Sequence, residues 1–308
     1  MASIFGIPII VAIILGILFP YVAFELVPLG IIFLFLLMFF AGITVEWGKF
    51  NLKTAASPAV ITGLVFLFIV FPACQWLIAS ILVKDEQYLY GLVLASLCPA
   101  AIVAPFFVKA VESDTELSFV LVIASMLLFP IVAPFILQIL VGGSDEFNSI
   151  PIAKYMVLLV TLPVLAGYLV YRLAGGIVRR IAPHMGLANM LCLSALIFIL
   201  FGTAARRINL HYVQINELLI LLLLVFIQNF VVLVVARLTF PMMFERKAAI
   251  SMAISLSMKN YAIAAGILLF YDPKASLPPA LGFVAHAFLF NAIYLARRSR
   301  FFQPNSRN

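Results

Sequence analysis

Two short segments decide how this chain can fold: SLCPAAIVAP at residues 96–105 and SMAISLSMKNY at residues 251–261. Both interrupt long apolar stretches. In the first, Pro99 and Pro105 each remove an amide donor and clash with the preceding helical turn. In the second, Lys259 places an ammonium among apolar residues. Because lipid offers no hydrogen-bonding partner, such breaks persist in a membrane only against other protein segments or a wet cavity. The two segments therefore predict a site inside a membrane protein.

The composition around these segments is that of a polytopic membrane protein. The chain has 308 residues, of which 66% are hydrophobic and 10% are charged, whereas soluble domains are about 45–50% apolar and about 25% charged. A membrane-spanning helix needs roughly 20 apolar residues, so the length allows about ten spans with short loops. A soluble domain, a disordered chain, a disulfide scaffold and a coiled coil are excluded.

Clusters of charged and turn residues divide the chain into ten predicted helices. They form two sets of five, at residues 1–146 and 147–308. An odd number of spans in each set gives the sets opposite orientations, as in inverted-repeat transporters. The two interrupted segments fall in helices 4 and 9, the fourth of each set, and paired interruptions of this kind point to a transport site. The predicted helices are 4–20, 27–45, 57–82, 88–108, 115–141, 151–174, 186–205, 216–240, 248–270 and 278–296.

The net charge of +7 is explained by membrane topology. If the N-terminus is cytoplasmic, most Lys and Arg residues fall on the cytoplasmic side, as the positive-inside rule requires. We therefore expect an integral membrane protein with both termini in the cytoplasm and no nucleic-acid partner. Lys259 is the one basic residue that no loop or helix end explains.

Lys259 is predicted to lie near the middle of the membrane. It is roughly 18–20 Å from the nearest charged helix ends, at about 1.5 Å per residue, which is beyond the reach of a lysine side chain. An ammonium at a helix centre costs about 2.5–3.5 kcal/mol on insertion scales. Since no carboxylate lies in the interior of a predicted span, the lysine must lose its proton, hold an anion or occupy a pocket of carbonyl dipoles. The structural alternative is a lysine held by the hydroxyls of Ser255 and Ser251, on the same helical face, without a role in transport.

The chain resembles bacterial homologues of the bile acid:sodium symporters, in the bile/arsenite/riboflavin transporter superfamily. The resemblance implies a panel of helices 1, 2, 6 and 7 beside a core of helices 3–5 and 8–10, with the discontinuous helices 4 and 9 crossing at the core centre. It also implies alternating access by movement of core against panel, and a bacterial inner membrane. Family members couple the movement of organic anions to two sodium ions bound near the crossing. The matching segments, in order along nearly the whole chain, are FFAGITV (39–45), LCPAA (97–101), LPVLAG (162–167), MKN (258–260) and His286.

The sodium sites that the resemblance implies are altered in this chain. Ser255 stands where the family has a glutamate shared by both sites, and Lys259 stands where it has a glutamine. Of the other first-site positions only Ser118 keeps its hydroxyl. A site with an apolar lining and a fixed positive charge should repel sodium. We therefore predict no bound metal and no cofactor, with the ammonium in the place of the cation. The positions where sodium ligands are predicted to be lost are Leu67, Ala104, Pro105, Val122, Ser255 and Lys259.

These observations predict a secondary transporter or facilitator of a small organic anion, independent of sodium and not an enzyme. Lys259 would act as a built-in cation or would exchange a proton, because burial favours the neutral amine. One alternative is a non-transporting ligand sensor or scaffold on the same fold, and another is a conventional sodium:organic anion symporter. Cys98 does not single out an arsenite exporter, since both branches of the superfamily have cysteine there. The candidate residues for substrate binding or coupling are Lys259, Asn260, Ser255, Ser118, His286, Pro105, Gln228 and Asn229, and the helix breaks are at Pro99 and Pro105.

Overall fold

The computed structural model describes residues 2–45, 47–142, 149–209, 214–299 and 301–302. Within these ranges the chain is helical and contains no β-strand longer than an isolated bridge. The predicted boundary between residues 146 and 147 lies outside them. The twelve main helices are α1 Ala2–Leu18, α2 Gly30–Thr44, α3 Pro58–Leu82, α4 Glu86–Leu97, α5 Ala104–Ala110, α6 Thr115–Val141, α7 Ile150–Leu173, α8 Gly175–Asn209, α9 Ile215–Thr239, α10 Arg246–Ser257, α11 Tyr261–Tyr271 and α12 Leu277–Ala296. Shorter helical pieces are Pro20–Glu25, Val27–Leu29, Trp47–Lys49, Leu52–Ala55 and Phe240–Met242.

Polar residues at the chain's turns fix where several helices begin. The side chains of Ser57, Asp85 and Asp114 accept hydrogen bonds from backbone N–H groups in the first turns of α3, α4 and α6. These N-caps satisfy donors that would otherwise lack partners at a helix start. Within the described ranges, seven helical segments are long and apolar enough to cross a membrane, as an integral membrane protein requires.

Two membrane helices contain a widened turn directly before a proline. A π-helical segment occupies Phe66–Val70, ahead of Pro72 in α3, and another occupies Val157–Thr161, ahead of Pro163 in α7. Proline removes one hydrogen bond and crowds the preceding turn. The wider turn accommodates this without ending the helix, so both helices keep the length of a span.

The helices pack in two sets. Helices α1, α2, α7 and α8, here the four-helix set, contact mainly one another. Helices α3–α6 and α9–α12, here the eight-helix set, likewise contact mainly the other helices of their own set. In the four-helix set, α2 and α7 approach so closely that a Cβ on Gly42 would lie 2.2 Å from the carbonyl oxygen of Val164, and one on Gly167 would lie 2.3 Å from that of Phe39. Small residues permit such close contacts between membrane helices.

A polar cluster joins the N-terminus of α4 to the C-terminus of α11. Lys274 forms an ion pair with Asp85, while Tyr90 and Gln87 both donate hydrogen bonds to the Asp272 carboxylate. Within the eight-helix set, the cluster connects the first residues of the segment α4–α5 to the residues that follow the segment α10–α11. Those segments are therefore held together at one end as well as at their breaks.

Candidate functional site

The two interruptions meet in the interior of the eight-helix set. One separates α4 from α5 and the other separates α10 from α11. Their extended residues form an antiparallel bridge at Lys259. The Ala101 N–H donates to the Met258 carbonyl at 2.7 Å, and the Asn260 N–H donates to the Pro99 carbonyl at 2.9 Å. Each break thus supplies partners for backbone groups that lipid could not satisfy.

Lys259 lies at this crossing with its side chain enclosed. Its exposed fraction is 1%, and its Nζ has no hydrogen-bond partner among the described residues. Its backbone N–H donates to Nε2 of His286 at 3.3 Å. Since Nε2 accepts this bond it carries no proton, and the imidazole is the neutral tautomer protonated at Nδ1. The crossing therefore presents a Lys259 Nζ without a hydrogen-bond partner among the described residues, beside a neutral histidine.

The structural alternative, in which Ser251 and Ser255 hold Lys259 from the same helical face, does not describe the hydrogen bonds of these side chains. The Ser255 hydroxyl pairs with the Ser118 hydroxyl at 2.7 Å, and the Ser251 hydroxyl donates to the Lys247 carbonyl at 2.9 Å. Helix α10 ends at Ser257, so helical spacing no longer applies at position 259. The break therefore takes Lys259 out of the helical register that would align it with the two serines.

A cavity of about 290 Å³ lies beside the crossing, between the two helix sets. The eight-helix set lines it with Lys259, Asn260 and His286, and the four-helix set contributes Asn189 of α8. The Asn189 Oδ1 is buried and has no hydrogen-bond partner in the described part of the chain. The cavity is thus mainly apolar, with a few polar groups at the boundary between the sets. Its other lining residues are Ile9, Leu37, Ala101, Ile102, Val103, Phe106, Phe107, Leu193, Tyr261, Ala262, Phe283 and Phe290.

The other predicted site residues lie outside this lining. Pro105 stands in the first turn of α5, and Ser118 and Ser255 bond to each other. In α9, the Asn229 Nδ2 donates to the Tyr261 hydroxyl at 2.6 Å, whereas the buried Gln228 amide has no partner among the described residues. Asn229 is therefore not part of the cavity lining. It orients the Tyr261 ring, which is part of the lining.

Tyr261, His286 and Phe290 form an aromatic wall on the eight-helix side. The ring centroids of Tyr261 and His286 are 4.6 Å apart, and those of His286 and Phe290 are 5.1 Å apart. Gly282 makes room for this wall, since a Cβ there would lie 2.3 Å from the Tyr261 ring. Packing on both sides thus fixes the orientation of the His286 ring.

Apart from Lys259, the positions where the resemblance implies sodium ligands are apolar or already hydrogen-bonded. Leu67, Ala104 and Val122 are buried without a side-chain oxygen. The hydroxyls of Ser118 and Ser255 are engaged with each other. These residues do not fit a hard cation that needs several oxygen ligands.

Sequence reasoning missed Asn189 and the aromatic residues Phe106, Phe107 and Phe290. Asn189 is a polar residue in an apolar helix, and that was its only signal in the sequence. Which face of α8 meets the other set depends on tertiary packing. The phenylalanines could not be separated from the many others that pack in the core.

Comparison with known proteins identifies one family. The family model described as Sodium Bile acid symporter family matches residues 31–211. This match covers more than half of the chain, from α2 to the end of α8, and includes the first interruption and Asn189. No curated protein matches the chain.

Proposed function

Because the chain belongs to the Sodium Bile acid symporter family, we propose that it is a secondary transporter or facilitator of a small organic anion that works without sodium. Members of this family are membrane transporters, which supports transport of a small molecule over an enzymatic function. The chemistry of the cavity supports the narrower proposal on substrate and coupling.

The proposed architecture has ten membrane-spanning helices in two inverted repeats, residues 1–146 and 147–308. In it, α4 with α5 and α10 with α11 are the discontinuous helices 4 and 9. The four-helix set is the panel and the eight-helix set is the core. Two facts support this division: each set packs mainly on itself, and the cavity lies between them. A cavity at such a boundary opens to either side when one set moves against the other.

The observation that carries the proposal is the buried Lys259, a residue of the lining of an apolar cavity, whose Nζ has no hydrogen-bond partner among the described residues. A buried charge without a partner is costly, and a bound anion would remove that cost by charge-assisted hydrogen bonding. The ammonium would thus perform the role that bound cations play in relatives. If Lys259 instead loses its proton when the anion leaves, transport would be coupled to protons.

The residues at the altered sodium positions support independence from sodium. A hard cation placed there would meet buried apolar side chains and the Lys259 charge. We also propose that the protein resides in the inner membrane of a bacterium with both termini in the cytoplasm. The concentration of Lys and Arg on that side supports this orientation.

Uptake by purified protein in liposomes tests the proposal. A panel of radiolabelled monocarboxylates should be taken up equally in sodium and choline buffers. Lys259→Gln should abolish this uptake, while Lys274→Gln, a matched loss of a lysine outside the cavity, should preserve it. If Lys259 carries protons, an imposed pH gradient should drive uptake.

Two outcomes would contradict the proposal in different ways. A strict requirement for sodium would show a conventional sodium:organic anion symporter. Saturable stabilisation by an anion with no flux under any gradient would show a sensor or scaffold on the same fold.

A further inference from the structure

Five aromatic side chains of the eight-helix set form a continuous row in the cavity lining. The ring centroids of Phe106 and Phe107 in α5 are 5.8 Å apart, and Phe107 stacks on Phe290 of α12 at 4.8 Å. His286 and Tyr261 continue the row at successive distances of 5.1 and 4.6 Å. The row runs from α5, which follows the first interruption, to α11, which follows the second. It gives the cavity one aromatic wall.

Phe106 and Phe290 are the rings of this wall that have accessible surface. Phe106 is 43% exposed and Phe290 is partly exposed, whereas Phe107, His286 and Tyr261 are buried. The buried rings hold the accessible ones in position, because Phe107 contacts both of them and His286 contacts Phe290. Aromatic rings prefer offset-stacked or edge-to-face contacts with other rings. The accessible part of the wall therefore favours a flat, aromatic ligand.

The four-helix set forms the other side of the cavity with aliphatic side chains. Ile9, Leu37 and Leu193 come from α1, α2 and α8. Asn189 and Asn260 add two uncharged amides, one from each helix set. Moving an apolar surface from water into such surroundings is favourable in proportion to the area buried. The body of a ligand between the two walls should therefore be mainly apolar.

The volume of the cavity limits the size of that body. The cavity measures about 290 Å³, whereas an apolar cavity of about 150 Å³ in another protein holds one benzene molecule. The space therefore suits about two fused rings. A rigid body of four fused rings would have to displace Phe290, push the two helix sets apart or protrude past Phe106. Each of these removes contacts that a smaller ligand keeps.

We propose that the cavity binds planar arenecarboxylates of about two fused rings, and that Phe290 sets a size limit that excludes steroids such as bile acids. Phe290 is then a specificity-determining residue, because it lines the cavity and is packed between Phe107 and His286. The inference rests on the proposed function for the carboxylate alone. The ring system and the size limit come from the cavity itself.

Calorimetric titration of the full-length protein in detergent with a graded series tests the inference. The probes are cyclohexanecarboxylate, benzoate, naphthoate, pyrenecarboxylate and cholate. Benzoate should bind about two- to tenfold more tightly than cyclohexanecarboxylate, as contacts between rings predict. Naphthoate should bind at least about tenfold more tightly than benzoate, because it buries a second ring. Pyrenecarboxylate and cholate should each bind at least about tenfold more weakly than naphthoate, because they overfill the cavity.

Variants of α12 assign the size limit to one residue. Phe290→Ala should raise the affinity for pyrenecarboxylate at least about tenfold, and Phe290→Leu should raise it less and serves if the alanine variant misfolds. The matched control is Phe288→Ala, since Phe288 lies in the same helix, is 59% exposed and does not belong to the cavity lining. It should leave every affinity unchanged. The wild-type series decides the size limit without any variant.

The outcomes separate this inference from the proposed function. Cholate or pyrenecarboxylate binding as tightly as naphthoate, an unchanged size limit in folded Phe290 variants, or no binding of any probe would overturn the inference. Uptake of cholate into liposomes would overturn the size limit and leave the transport function intact. The expected order of affinities without flux of any probe would uphold the ligand site and overturn transport.

Discussion

The close approach of α2 and α7 gives a stability prediction with an internal control. We consider the substitution Gly167→Ala in α7 and the same substitution at Gly186 in α8. A Cβ at position 167 would lie 2.3 Å from the Phe39 carbonyl oxygen, whereas a Cβ at position 186 would meet nothing within 4 Å. Both glycines lie inside helices, so the substitutions differ mainly in what the new methyl group contacts.

The magnitude follows from two opposing effects. Replacing glycine by alanine inside a helix stabilises by up to about 1 kcal/mol, which should be the whole effect at Gly186. At Gly167 the methyl group is about 1 Å closer than an ordinary contact of 3.4 Å, and overpacking of this kind costs about 1–3 kcal/mol. The melting temperatures of the two variants should therefore differ by on the order of 5 °C, with Gly186→Ala the more stable.

Thermal unfolding in detergent, followed by tryptophan fluorescence or by the loss of the monodisperse chromatographic peak, measures this difference. Gly42→Ala should resemble Gly167→Ala, because its Cβ would lie 2.2 Å from a backbone oxygen of the same helix pair. Equal melting temperatures for Gly167→Ala and Gly186→Ala would show that α2 and α7 do not approach as closely as described.

Three further substitutions address the hydrogen bonds around the site. Ser118→Ala leaves the buried Ser255 hydroxyl without its partner and should destabilise the folded protein by about 1–2 kcal/mol. Ligand affinity should not change. Unfolding experiments measure the first effect and ligand titration measures the second. Tyr261→Phe removes the acceptor of the Asn229 amide and should cost about 1 kcal/mol; unchanged stability would contradict a formed bond. Lys274→Met removes a partly exposed ion pair and should change stability by less than about 1 kcal/mol, a limit that urea titration can test.

Long uninterrupted apolar runs with polar boundaries were predictable from the sequence. The predicted helix at 115–141 has the bounds of α6, and that at 216–240 differs from α9 by one residue at each end. Asp114 caps the first, and a capping box of Gln214 and Glu217 begins the second. Both boundaries are local, because a side chain and a nearby backbone group decide them.

The positions of the helix breaks were predictable, but their geometry was not. Pro99 and Lys259 marked the interruptions, and both are present. Helical spacing then placed Lys259 on the face of Ser255, which is wrong because the helix ends two residues earlier. The partner segment comes from the other half of the chain, so no local pattern indicates where the lysine points.

The region before predicted helix 7 and the cavity wall also required tertiary information. Residues 175–185 were predicted to lie between the helices at 151–174 and 186–205, yet α8 begins at Gly175 and continues to Asn209. Glycine is tolerated at a helix end, and contacts with neighbouring segments decide where the helix begins. Asn189 gained its position in the cavity from the packing of α8 against the eight-helix set, which one sequence does not contain.

The antiparallel bridge at Lys259 has a consequence for biosynthesis. It joins residues separated by about half of the chain, so the first interruption enters the membrane long before its partner has been translated. Until then the Pro99 carbonyl and the Ala101 amide lack their final partners in a medium that supplies none. The N-terminal half therefore cannot reach its final structure by itself, and a nascent chain that stops short of residue 258 should remain a substrate for insertases and membrane proteases.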